Sequence, residues 1–135
     1  MTSPAVLPYV AAVQAALANA SLAVYLGGAP AGPAPLPKTY CVVYTGPGQV
    51  SSASIADDRT TLDMLLQITC VATTPEGSLG TADRARAALA VPLTVDGRAT
   101  WRPEELGGPH LLRDDDVTPP LYYLPVQYRL RSIPA

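Results

Sequence analysis

Residues 61–73 alternate strictly enough to constrain everything around them. Leu62, Met64, Leu66, Ile68, Cys70 and Ala72 fall on one face, and Asp63, Gln67, Thr69 and Thr73 on the other. A period of two over this length is the pattern of a half-buried strand, because successive side chains point to opposite sides of a sheet. Leu65 and Val71 interrupt the polar face, so part of that face is expected to be covered as well. Pro75, Glu76 and Gly77 break the strand. Residues 78–90 follow as a helix, with Thr81 or Ser78 able to cap it. Leu79, Ala82, Ala85 and Leu89 share one side of that helix, and its alanines let the backbone lie close to a sheet. This unit holds no constellation suited to chemistry. It reads as scaffold, and function must be sought in what is attached to it.

Upstream, a helix is expected from about Pro8 to Asn19, with Val10, Val13 and Leu17 on its apolar side; Ser3 and Pro4 offer an earlier start. Residues 22–26 suit a short strand. Residues 27–37 carry four prolines and three glycines, and so exclude both helix and central strand. Residues 40–45 form a β-branched and aromatic strand, and residues 46–58 a second open segment rich in Gly, Ser and Asp. Downstream, residues 93–101 suit a hairpin turned at Asp96-Gly97. Residues 103–109 read as loop, and residues 110–113 as a short strand leading into Asp114, Asp115 and Asp116. The last strand covers residues 121–133, with Tyr122, Leu124, Val126, Tyr128 and Leu130 alternating against Tyr123, Gln127, Arg129 and Arg131. Pro125 has no N–H for a ladder, which marks a bulge or an outward-facing edge.

Composition narrows the function classes. Apolar residues make up 48% of the 135-residue chain, which suffices for a core and suits one domain spanning residues 1–135. Nine basic against eleven acidic side chains give a net charge of −2, which argues against a protein that grips a phosphate backbone. No run approaches the ~20 apolar residues of a membrane span, and no basic region precedes an apolar run in the manner of a secretory signal. Cys41 and Cys70 both fall in expected strands with no CxxC or Cys/His partner nearby, so they read as buried thiols.

The chemistry-bearing residues are sparse. His110 is the only histidine and sits beside leucines, and no serine occupies a GxSxG elbow. The glycines at 27, 28 and 32 lack the Lys-Ser/Thr of a phosphate-binding loop. Asp114, Asp115 and Asp116 do not have the spacing of an EF-hand. No cofactor or metal is expected, and no catalysis. Arg84 and Arg86 on the helix, and Arg129 and Arg131 on the last strand, read as solvent-facing charges or as partners for aspartates of a neighbouring copy. The two open segments, with Gly46, Pro47, Gly48 and Gln49 leading the second, are expected to become ordered against partners, as segments that fold on binding do.

The order of helix, strands, long loop, "LDMLLQITCVATTPE", "TADRARAAL" and "RDDDVTPPLYYLPVQYRL" resembles the tail terminator proteins of long-tailed phages, especially those of actinobacterial hosts. The likeness runs from about Leu7 to Leu130. It implies an α+β fold: a mixed or antiparallel sheet packed by two helices, with long extended loops. It also implies a homohexameric ring on the head-proximal end of the tail tube, within the virion, that stops tube growth and joins tail to head. The implied partners are further copies of the chain, the tail tube protein and a head-closure or connector protein, with DNA passing through unbound and no membrane. In such a ring, Asp114, Asp115 and Asp116 would face the channel or its rim, or else pair with Arg84, Arg86, Arg129 or Arg131 of a neighbour. The Pro-rich residues 27–37 depart from the family pattern. Two rival readings are another neck component and, from a different class, a small ligand-binding domain.

Overall fold

The structure is a computed structural model that describes residues 4–31, 35–52 and 60–135. Ser3, residues 32–34 and residues 53–59 of the expected loops lie outside the described residues. In chain order the elements are α1 (Leu7–Asn19), β1 (Val24–Leu26), β2 (Thr39–Thr45), β3 (Gln49–Ser51), β4 (Thr61–Ala72), α2 (Pro75–Ala88), β5 (Arg98–Thr100), β6 (Glu104–Gly107), β7 (Leu112–Asp114) and β8 (Leu121–Pro134). The strands form one eight-stranded sheet in the order β1-β2-β4-β8-β5, with β3 also paired to β4, and β6 and β7 to β8. Among the described residues only β1 and β2 run parallel, and the other pairings are antiparallel. The fold is therefore α+β with a mixed sheet.

The alternation of β4 sets the layers. Its register with β8 runs from Leu62 against Ser132 to Ala72 against Tyr122, so the two longest strands pair along nearly their whole length. Leu62, Met64, Leu66, Ile68, Cys70 and Ala72 are buried under the helices with Val126, Tyr128 and Leu130. Tyr9, Val10, Val13 and Leu17 of α1 close this core from above. Cys41 and Cys70 are free, buried and directly opposite across β2 and β4. The hydrogen bond with Cys41, and then burial, raises the Cys70 thiol above its ordinary range.

Several local expectations are corrected. Helix α2 begins at Pro75, and its cap is Thr74, whose hydroxyl accepts from the Gly77 N–H at 3.0 Å. Proline there is a first-turn residue whose missing N–H costs nothing, so it starts the helix instead of ending the strand. The buried stripe of α2 is Ser78, Thr81, Ala82 and Ala85, with Leu89 at its end, while Leu79 points outward. The helix lies too close to β4 for a leucine: the Ser78 hydroxyl donates directly to the Cys70 carbonyl at 2.7 Å.

The Asp96-Gly97 turn exists but makes no hairpin. Leu93 and Val95 pack into the core, and β5 pairs with β8 instead. The expected loop at 103–109 contains β6, the open segment after Gly46 contains β3, and the strand expected at 110–113 lies at Leu112–Asp114. Pro125 marks no bulge in the β4–β8 register, but no outer strand pairs with it, so it falls at a local gap on the outer side of β8. It sits opposite Thr69 within β8, at the point where the outer partner changes from β7 to β6. Gly108 in the connection passes so near that a Cβ there would lie 2.2 Å from the Pro125 carbonyl oxygen. Among the described residues, no helix is long and apolar enough to cross a membrane.

Candidate interaction surface

The face of the sheet turned away from the helices is the surface the sequence left unexplained. The alternation that buries one side of each strand delivers the other side here. Strand β2 presents Tyr40, Val42 and Tyr44; β4 presents Asp63, Leu65, Gln67, Thr69 and Val71; β8 presents Tyr123, Pro125, Gln127, Arg129 and Arg131. Described elements add no helix to this side. The face divides along the strands into three zones.

At one end Tyr40, Val42 and Val71 form a second apolar cluster, flanked by Tyr25, Leu121 and Tyr123. Tyr25 and Tyr40 meet edge to face, with ring centres 5.8 Å apart, the arrangement that ring quadrupoles favour. Burial, then the neighbouring Tyr25 and Tyr44, pushes the Tyr40 phenol above its ordinary value, so it stays neutral. Tyr40, Val42, Val71, Leu121 and Tyr123 line a shallow concavity of about 440 Å³ that reaches Asp114 at the sheet margin. The middle zone is polar and uncharged: Gln67 donates to the Thr69 hydroxyl at 3.0 Å and stands opposite Gln127.

The far zone is charged but internally neutralised. Arg129 grips Asp63 with two nitrogens, its Nε donating to Oδ1 at 2.9 Å. That hydrogen bond holds the Asp63 carboxyl below its ordinary value and outweighs desolvation. The Arg131 guanidinium lies 5.5 Å from the centre of the Trp101 ring. A second concavity of about 620 Å³ brings Gly46, Pro47, Gly48 and Gln49 beside Leu65, Leu106 and Arg129. Gly48 has φ +73°, and a Cβ there would sit 3.0 Å from the Met64 Cβ. Both the backbone conformation and the close approach require glycine.

The other residues singled out in the sequence are placed elsewhere. Arg84 and Arg86 belong to the helix layer. Arg84 donates to the carbonyls of Ala20 at 2.6 Å and Ser21 at 3.2 Å, closing the C-terminal end of α1 where positive charge is favoured. Arg86 forms a two-pronged bond to Glu105 at 2.7 and 2.8 Å, which raises its own pKa. Asp114 opposes Leu121, eight residues from Arg129 along β8, or about 27 Å at ~3.4 Å per residue. The aspartates and these four arginines therefore do not meet within one chain. Asp115 pairs with Arg113 at 2.5 Å, and the Asp114 carboxylate accepts the Asp116 N–H at 3.0 Å. His110 is exposed on the β6–β7 connection.

The sequence reading missed one buried polar knot. Ser132 takes the core-facing position that alternation assigns to an apolar residue, and it is fully buried. Its hydroxyl meets that of Tyr9, and Arg98 donates to Tyr9 at 2.9 Å, to the Ser132 carbonyl at 3.0 Å and to the Thr60 carbonyl at 2.6 Å. This knot ties α1, β5, β8 and the start of β4 together. The only signal for it in the sequence is a serine interrupting an apolar series.

Among the described residues, no group of three His, Cys, Asp or Glu side chains is placed to hold a metal ion. What the open face offers is an extended, partly apolar surface, aromatic at one end and carrying the Asp63–Arg129 ion pair at the other.

No protein family and no curated protein gives a significant match to the chain. Among solved structures, it is similar to a chain in the virion of a native gene transfer agent (GTA) particle. The likeness has 21% identity and a TM-score of 0.57, covering 91% of this chain and 92% of that one. At that identity the likeness establishes a shared fold.

Proposed function

We propose that this chain is a structural component of a phage-like virion. In this reading it forms a homomeric ring, of six copies, at the head-proximal end of the tail tube, where it stops tube growth and joins tail to head. The observation that carries the reading is the fold shared with a gene transfer agent virion chain over nearly the full length of both. The open sheet face adds support, since it is an extended surface suited to macromolecular contact and not a deep pocket. The partners are then further copies of the chain, the tail tube protein and a head-closure or connector protein, with DNA passing through unbound.

Gly46, Pro47, Gly48 and Gln49, beside Arg129, are assigned to contact with the tube. Asp114, Asp115 and Asp116 belong either to the channel or its rim or to the contact between copies. Imaging of intact particles with the chain labelled tests the reading. A ring at the head–tail junction is expected, and tails of unregulated length or unjoined heads when the chain is deleted. Label along the tail shaft or at its distal tip would overturn it. So would failure to co-purify with the tail tube protein.

A further inference from the structure

The open sheet face ends in two margins of opposite character at the same end of the sheet. On the β2 side, Lys38 is held in line by its carbonyl, which accepts the Thr73 N–H at 3.2 Å. One row along, Ala72 pairs with Tyr122, and Leu121 pairs with Asp114 on the β7 side. Lys38 and Asp114 are thus about three strand spacings apart, roughly 14 Å at ~4.8 Å each. That is too far to meet within one chain. Strand β1 begins its pairing only at Cys41, and β7 pairs only with β8, so among the described residues neither margin is covered by another strand.

Each margin combines charge with exposed apolar surface. Lys38 is the only lysine of the chain, is exposed, has no ion-pair partner among the described residues, and follows the exposed Leu36 and Pro37. On the other margin Arg113 offsets only one of three consecutive aspartates, leaving net negative charge, and the exposed Val117 follows directly. Arg84, Arg86, Arg129 and Arg131 are engaged inside the subunit by Ala20 and Ser21, Glu105, Asp63 and Trp101 respectively. Lys38 is the cation still available on this end of the sheet.

We infer that a second copy of this chain docks side by side on this end of the sheet. Its Leu36-Pro37-Lys38 margin lies against the Val117 and Asp114–Asp116 margin of its neighbour. Opposite charge and matched apolar surface on two different margins make the contact heterologous, the type that closes by rotation into a ring. The inference rests on the ring reading above and names the surfaces that would build it.

Charge reversal tests it by sedimentation at low ionic strength, with the full chain over a concentration series. Lys38→Glu and Asp116→Lys, each alone, are expected to weaken self-association about tenfold, more than loss of one exposed pair because repulsion replaces attraction. The two together in one chain are expected to restore it. Both positions are exposed, so thermal melts serve as folding controls. Self-association untouched by either single change, or not recovered in the double variant, overturns this docking while leaving the ring reading standing. A wild-type chain that stays monomeric both at millimolar concentration and on tail tube ends overturns both.

Discussion

The two faces of this sheet come from the same strands and the same alternation, yet they tolerate opposite things. On the helix side, Ile68, Cys70 and Val43 are completely buried, and polar groups enter only inside closed bonding sets such as Ser132 with Tyr9 and Arg98. On the open side, Leu65 is 54% exposed and Tyr44 43% exposed, and charges are admitted freely provided they pair, as Asp63 does with Arg129. One face is built to exclude water from a single chain. The other buries Tyr40, Val42 and Val71 at one end and leaves Leu65 and Tyr44 largely in water. Substitutions at buried Ile68 and exposed Leu65, on the two sides of one strand, should therefore behave differently.

The largest contrast is expected between Ile68→Ala and Leu65→Ala, three residues apart on the same strand. Truncating the fully buried Ile68 leaves a cavity and should cost about 2–5 kcal/mol in urea unfolding. Leu65→Ala should fall within about 0.5 kcal/mol, because its side chain is already largely in water. A loss above about 2 kcal/mol from Leu65 would show that the open face is packed in the free chain, and the contrast would collapse.

A smaller effect is expected at Ser132. Ser132→Ala removes a hydroxyl that Arg98 and Tyr9 both use, and stranding such partners costs about 1–3 kcal/mol. Tyr9→Phe should cost a similar amount. The double variant should lose less than the sum, since both changes break one network. Full additivity in thermal or urea unfolding would show that the hydroxyls act independently.

This division also explains what could be read in advance. Strand β4 was legible because period two depends only on order along the chain, and its core-facing set came out residue by residue, although Thr69 and Val71 on the opposite face are buried as well. The core-facing set of β8 followed for the same reason. Strands β3 and β6 were not legible, because runs of three and four residues carry no period. The Asp96-Gly97 turn was local and therefore visible, with Gly97 at φ +72°. Its consequence was not visible, because β5 takes its partner from the far end of β8. Leu79 was misplaced since hydrophobicity alone cannot register that a helix lies too close to a strand for a large side chain. The apolar content of the open face was hinted at by Leu65 and Val71 on the polar face of β4. The partners of Arg84, Arg86, Arg129 and Arg131 were hidden, because each lies across a contact between elements remote in sequence or, for Arg84, at the end of another helix.

The smallest effect, and the one that tests the open face on its own terms, is expected at Asp63→Asn. Arg129 holds the Asp63 carboxyl below its usual value near 3.8, so the folded state binds this proton less readily than the unfolded chain does. A depressed carboxylate contributes its stability above the unfolded value and loses it as pH falls through the folded one. The pair is partly exposed, with Arg129 at 38% and Asp63 at 30%, so its contribution is limited to about 1 kcal/mol or less. Wild type should therefore exceed Asp63→Asn by that amount at pH 7. The gap should hold down to about pH 4 and close at lower pH as Asp63 takes up its proton. Raising the salt to 1 M at pH 7 should also narrow it, because screening is strong for exposed charges. A gap that persists unchanged well below pH 3 would mean that the carboxylate acts through packing and not through charge. The open face would then contribute to the stability of the single chain, as the covered face does.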